Sequence, residues 1–148
     1  ALLKAIEDGS SIGELCNVTK EQLENLYALG YNLYTSANFN DAQTVFQVLC
    51  IYDNLDSRFW MGLGGCRQAL GLYKEAIDAY AMAGTVGVFE DPEPFLHAGR
   101  CFIKLGKKDE AVTSLKGVLE MSKPDNPKHE KSRKAAEELL ALLQEKKD

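Results

Sequence analysis

The side chains of this chain that could do chemistry beyond packing are few. They are two histidines, four cysteines and six tyrosines. His97 and His129 have no serine, cysteine or carboxylate beside them in a pattern that sequence would reveal as a triad, and His97, next to Leu96, reads as a hydrogen-bonded packing histidine. Cys16, Cys50, Cys66 and Cys101 contain no Cys-x-x-Cys pair, and no histidine stands at ligand spacing from them, so neither zinc nor redox chemistry is expected. They read as small apolar packing residues in a reducing compartment. Gly62-x-Gly64-Gly65 lacks the third glycine of a dinucleotide loop and follows no strand. Asn17-Val18-Thr19 matches a glycosylation acceptor, but Thr19 is better explained as a helix N-cap. The chain is therefore expected to be no enzyme and to hold no cofactor and no metal. What remains is the chemistry of recognition. Tyr27, Tyr31 and Tyr34 stand at i, i+4 and i+7, so they form one stripe on a helix. A tyrosine on a surface offers a large area, little rotamer entropy to lose and a polar tip.

A repeat positions that stripe. Over Asp56–Ala83, small residues at Gly64, Ala76 and Ala83 alternate with Trp60, Leu63 and Tyr80, the arrangement of two antiparallel helices in close approach. Gly71 falls between them, where φ > 0 is needed. About 34 residues earlier stand Leu26, Leu29, Gly30, Ala42 and Phe46, and about as far onward stand Phe95, Ala98, Gly99, Gly106, Ala111 and Leu115; this period and pattern are the tetratricopeptide signature. Ala37 takes the place of the inter-helix glycine in the first copy. The expected fold is all-α: a right-handed tetratricopeptide superhelix of three helix pairs with an N-terminal helical leader and a C-terminal capping helix. As one domain over 1–148 it divides into leader 1–18, repeat one 19–55, repeat two 56–89, repeat three 90–123 and capping helix 127–147.

In such stacks the first helix of each pair lines the concave surface, which places the tyrosine stripe in a groove. Leu26, Leu29, Gly30 and Leu33 already fill the internal positions of repeat one. The groove positions of repeat two are Met61, Gly65 and Gln68, with Arg58 one turn earlier. Those of repeat three are Leu96, Arg100 and Ile103. Gly65 is expected to leave a depression between larger neighbours. In the second helix of repeat one, Val48 and Tyr52 exceed what internal packing needs and suit an outer contact. The leader carries Leu2, Leu3 and Ile6 on one side; it must cover the first face of the stack or join another molecule. The last helix has Ala135, Leu139, Leu140, Leu142 and Leu143 as an apolar stripe, fitting a polar-backed cap.

The 148 residues, 45% hydrophobic and 26% charged, are those of a globular domain with a real core. No run of about 18 apolar residues exists, so no membrane insertion is expected. No signal-peptide pattern opens the chain, and the native start is expected to lie upstream of Ala1. A net charge of −5 argues against nucleic acid as a direct partner.

The segments LYALGYNLY (Leu26–Tyr34), DAQTVFQVLCIYDNLDSRFWMGLGGCRQALGLYKEAI (Asp41–Ile77) and PFLHAGRCFIKLG (Pro94–Gly106) resemble the class II chaperones of bacterial type III secretion, the SycD/LcrH/IpgC group. The resemblance implies a cytoplasmic chaperone that holds an extended segment of hydrophobic translocator proteins in its concave groove and keeps them secretion-competent. The family's aromatic groove residues fall on Tyr27, Tyr31 and Tyr34, and neighbouring contacts on Met61, Gly65, Leu96 and His97. It implies a homodimer through the first repeat and the leader, with contacts falling on Val48 and Tyr52. Some members also act with a transcription activator. The residues by themselves leave open a tetratricopeptide adaptor or regulatory subunit that works through its outer face.

Overall fold

The first helix of the described residues opens with a capping box. In a computed structural model, which describes residues 16–145, the Thr19 hydroxyl accepts from the Gln22 amide at 3.1 Å, and the Gln22 side-chain oxygen accepts from the Thr19 amide at 2.9 Å. Two of the first-turn donors are thereby satisfied. Helix α1 then runs over Lys20–Thr35 and α2 over Phe39–Tyr52. The second hairpin is α3 (Ser57–Ala69) and α4 (Tyr73–Val86), the third is α5 (Glu93–Lys104) and α6 (Lys108–Met121), and α7 (Pro127–Glu145) follows. The leader helix and its Leu2, Leu3 and Ile6 lie outside the described residues.

Each helix packs on the next, with additional contacts of α1 on α3 and of α5 on α7. This is the neighbour-to-neighbour stacking of a repeat protein. Close approach at α3 requires bare backbone on both flanks. A Cβ on Gly62 would overlap the Phe46 ring from α2, and one on Gly64 would come within 2.6 Å of the Tyr80 ring from α4. Phe46 and Tyr80 are both only 2% exposed. The aromatic that α3 buries is Phe59 rather than Trp60. Trp60 packs on the rim of the same cluster and donates its indole N–H to the Asn54 carbonyl at 2.9 Å. Leu29, expected inside repeat one, is 48% exposed, because α1 ends the described stack and, among the described residues, no further helix meets its outer flank.

At the far end, α7 buries His129, Ser132, Ala136 and Leu140 against α5 and α6, with Ala135, Leu139 and Leu143 beside them. The buried line is thus turned from the expected stripe, and Leu142 faces solvent. His129 accepts the Lys123 amide on Nδ1 at 3.1 Å, which ties the Pro124–Pro127 turn to the start of α7.

Four helix ends close with the same pair of backbone hydrogen bonds. Each uses a residue at positive φ: Ala37 (63°), Gly71 (77°), Val88 (57°) and Gly106 (72°). At α4, for example, the Val88 amide donates to the Thr85 carbonyl at 3.0 Å and the Phe89 amide to the Gly84 carbonyl at 2.9 Å. This is a Schellman closure, and it favours glycine at the positive-φ position. Two of the four ends lack it. At α4 a glycine is present one residue early, at Gly87, so β-branched Val88 takes the left-handed conformation. Left-handed backbone costs an L-residue about 1–2 kcal/mol, partly offset by the extra unfolded-state freedom of glycine. Val88→Gly and Ala37→Gly are therefore expected to stabilise the fold by about 0.5–1 kcal/mol each. Gly71→Ala should destabilise by a similar amount. Urea unfolding of the three variants checks both signs.

Candidate peptide-binding groove

Helices α1, α3 and α5 line a concavity of about 700 Å³. The tyrosine stripe forms its α1 wall. Tyr27 is half-buried, its ring 6.0 Å from Phe46 in an edge contact and 5.9 Å from Phe59. It therefore serves core and groove together. Tyr31 sits 6.4 Å from Tyr27 and is 55% exposed. Tyr34 packs edge-on against Phe39 at 5.4 Å and stays open on its other side. Across from it, a Cβ on Gly65 would lie 3.4 Å from the Tyr34 ring. That spacing is ordinary contact, so the glycine leaves a hollow one methyl deep.

Arg58 closes one end. Its guanidinium binds Glu24 at 2.6 Å and Asp56 at 2.8 Å, and lies 4.7 Å from the centre of the Tyr27 ring. Hydrogen bonds from Arg58 hold the Glu24 carboxyl below the usual carboxylate range. The pair is exposed, so its contribution to stability is small, but it fixes the face of Tyr27 that the groove presents.

The other end is built around Tyr80. Its hydroxyl donates to the Gln68 side-chain oxygen at 2.6 Å, and its ring stacks on His97 at 5.3 Å and 24°. Burial pushes the Tyr80 phenol well above its ordinary value, so it remains a neutral donor. His97 Nε2 lies 3.3 Å from a Glu93 carboxylate oxygen, and Nδ1 lies 3.4 Å from Arg100 Nη1. With Nε2–H donating to Glu93, Nδ1 is left to accept from Arg100. The bond from His97 holds the Glu93 carboxyl below its ordinary value against the opposing effect of burial, and the charges of Lys131 and Arg100 add to it.

Of the residues expected in the groove, Tyr27, Tyr31, Tyr34, Arg58, Met61, Gly65, Gln68, His97 and Arg100 line it. Leu96 and Ile103 do not. Leu96 is buried in the α5–α6–α7 core, and Ile103 packs on the same cluster. The reason is α7, which packs on the flank of α5 that carries these two side chains and draws them into its core. Tyr80, Phe46, Ser57, Asp91 and Glu93 also line the concavity. Tyr80 and Phe46 reach it from second helices, which an assignment by first-helix positions cannot find. Glu93 was findable, since it stands at i, i+4 from His97.

The cysteines take no part. Cys50, Cys66 and Cys101 are buried, and burial pushes their thiols up to about 12, 11 and 11. Cys16 is exposed, which corrects its reading as a packing residue. Among the described residues no cluster of His, Cys, Asp or Glu could hold a metal ion, and no helix is long and apolar enough to cross a membrane.

Tetratricopeptide-repeat models match residues 23–56 and 95–121. Low calcium response locus protein H of Yersinia pseudotuberculosis is 35% identical over 148 residues, 100% of this chain and 87% of that protein. The chain belongs to the class II chaperones of type III secretion. Two solved structures show the family fold. A type III secretion complex from Aeromonas hydrophila matches this class II chaperone with a TM-score of 0.92 at 31% identity, covering 99% of this chain and 97% of the other. SycD of Yersinia enterocolitica, solved with a peptide of the translocator YopD, matches with a TM-score of 0.82 at 34% identity, covering 88% and 98%. SycD has also been solved as an alternative dimer.

Two predictions come from this geometry. The native protein should show one fast-reacting thiol, Cys16, and three that react only on unfolding, read by timed labelling with and without denaturant. Because the folded Glu93 pKa is depressed, its stabilisation is fully present above the unfolded carboxylate value near 4.3 and is lost as pH falls through the lower folded value. Glu93→Gln should flatten that part of the stability–pH curve, measured by urea unfolding across the acid range.

Proposed function

We propose that this chain holds an extended segment of a hydrophobic translocator protein in the α1–α3–α5 groove, in the bacterial cytoplasm, and so keeps a membrane-seeking client soluble and ready for secretion. The observation that carries this reading is the exposed aromatic wall of Tyr31 and Tyr34 facing the hollow at Gly65. SycD supports it as a similar chain solved with a translocator peptide. Apolar side chains of the client enter between Tyr27, Tyr31, Tyr34 and Met61, while Gln68 and Arg100 meet its polar groups. Each well-filled aromatic site is worth roughly 1–3 kcal/mol, and together they suffice for micromolar or tighter binding. The role needs no covalent step and no nucleotide.

We further propose a homodimer through α2 and the leader. Val48 and Tyr52 are half-buried, and Ile51 and Leu55 beside them are 58% and 67% exposed, an apolar strip that a second copy with its Leu2, Leu3 and Ile6 would cover.

Tyr31→Ala is expected to weaken binding of a translocator segment by about tenfold or more with helicity and melting nearly unchanged. Titration calorimetry checks it, and equal affinity would remove the groove assignment. Val48→Glu combined with Tyr52→Glu should sediment as a monomer; an unchanged mass would put the interface elsewhere.

A further inference from the structure

A second concavity shares no residue with the groove. It has about 750 Å³ and lies between the α4–α5 connection and α6. Phe89, Phe95 and Phe102 form its apolar wall. Phe89 stacks on Phe95 at 6.0 Å and 28°, yet remains 56% exposed. It directly follows strained Val88, itself 72% exposed.

Two independent features mark this cleft as a binding surface. The first is Gly117, in the interior of α6. A Cβ there would meet nothing within 4 Å, so no neighbour in the fold requires a glycine. Glycine inside a helix is unfavourable relative to alanine. What it supplies here is bare backbone on the cleft wall, open to close approach by another chain. The second is charge. Asp109, Glu110 and Glu120 line the cleft against a single Lys116, and none of these carboxylates is in an ion pair among the described residues.

We propose that this cleft docks a basic amphipathic helix of a partner protein. The helix sets its apolar stripe against Phe89, Phe95 and Phe102, crosses α6 at Gly117, and places lysines or arginines beside Asp109, Glu110 and Glu120. A helix suits the cleft because it satisfies its own backbone and presents an apolar stripe with a charged flank beside it, matching the phenylalanine wall and the carboxylates. The cleft is separate from the groove, so a client and this partner can be held at once.

The test uses the full chain and a labelled synthetic leucine–lysine peptide of helical periodicity, followed by fluorescence anisotropy. The parent chain is expected to bind it in the micromolar range. Gly117→Leu should weaken binding by about tenfold or more while melting at or above the parent, since leucine is the better helix former. Glu110→Lys combined with Glu120→Lys should weaken it comparably, and a leucine–glutamate peptide should not bind. Four results would each overturn the proposal: no binding by the parent, equal binding by Gly117→Leu, equal binding of the leucine–glutamate peptide, or loss of the leucine–lysine peptide on Tyr31→Ala, which would place it in the groove.

Discussion

Two rings seated on opposite flanks of α3 govern the geometry around them. Phe46 lies over Gly62 and Tyr80 over Gly64, at distances that no side chain on α3 could tolerate. Added volume at such a contact must be absorbed by shifting a helix, because interiors are close-packed. The same two rings carry the groove. Tyr27 rests on Phe46 at one end and His97 on Tyr80 at the other. The walls of the concavity are therefore the outermost layer of the core, and their positions are set by packing that solvent does not reach.

This layering explains how an open aromatic surface coexists with a satisfied polar framework. Arg58 is committed to Glu24 and Asp56, and Tyr80 to Gln68, while Arg100, His97 and Glu93 form a chain of their own. Among the described residues no buried side-chain nitrogen or oxygen lacks a partner. A guest entering the groove has few strong internal bonds to replace, so most of its gain comes from apolar contact with rings already held in place.

The sequence made the repeat legible because small and large residues recur at one period, and the helices follow from it. The N-cap at Thr19 was readable because its partner Gln22 lies only three residues on. The stripe Tyr27, Tyr31 and Tyr34 was readable because helical spacing alone puts the three on one face. The failures have a common cause in contacts that do not repeat. Leu29 is exposed because the described stack has an end, and Leu96 and Ile103 turn away from the groove because α7 packs on their flank of α5. Trp60 stood out by size, but the register of α3 against α2 buries its neighbour Phe59. Tyr80 escaped because it crosses from a second helix through the gap that Gly64 leaves. That the ring packs at Gly64 was visible in the sequence; that its far edge reaches the groove was not.

Helices that touch mainly their chain neighbours give a molecule with little long-range bracing. Among the described helices, the free energy for local opening should then rise from both ends of the stack toward α3 and α4. A segment lying across α1, α3 and α5 adds a strut that the fold itself lacks. Occupancy would then even out this gradient, and the chaperone and the chain it carries would each rigidify the other.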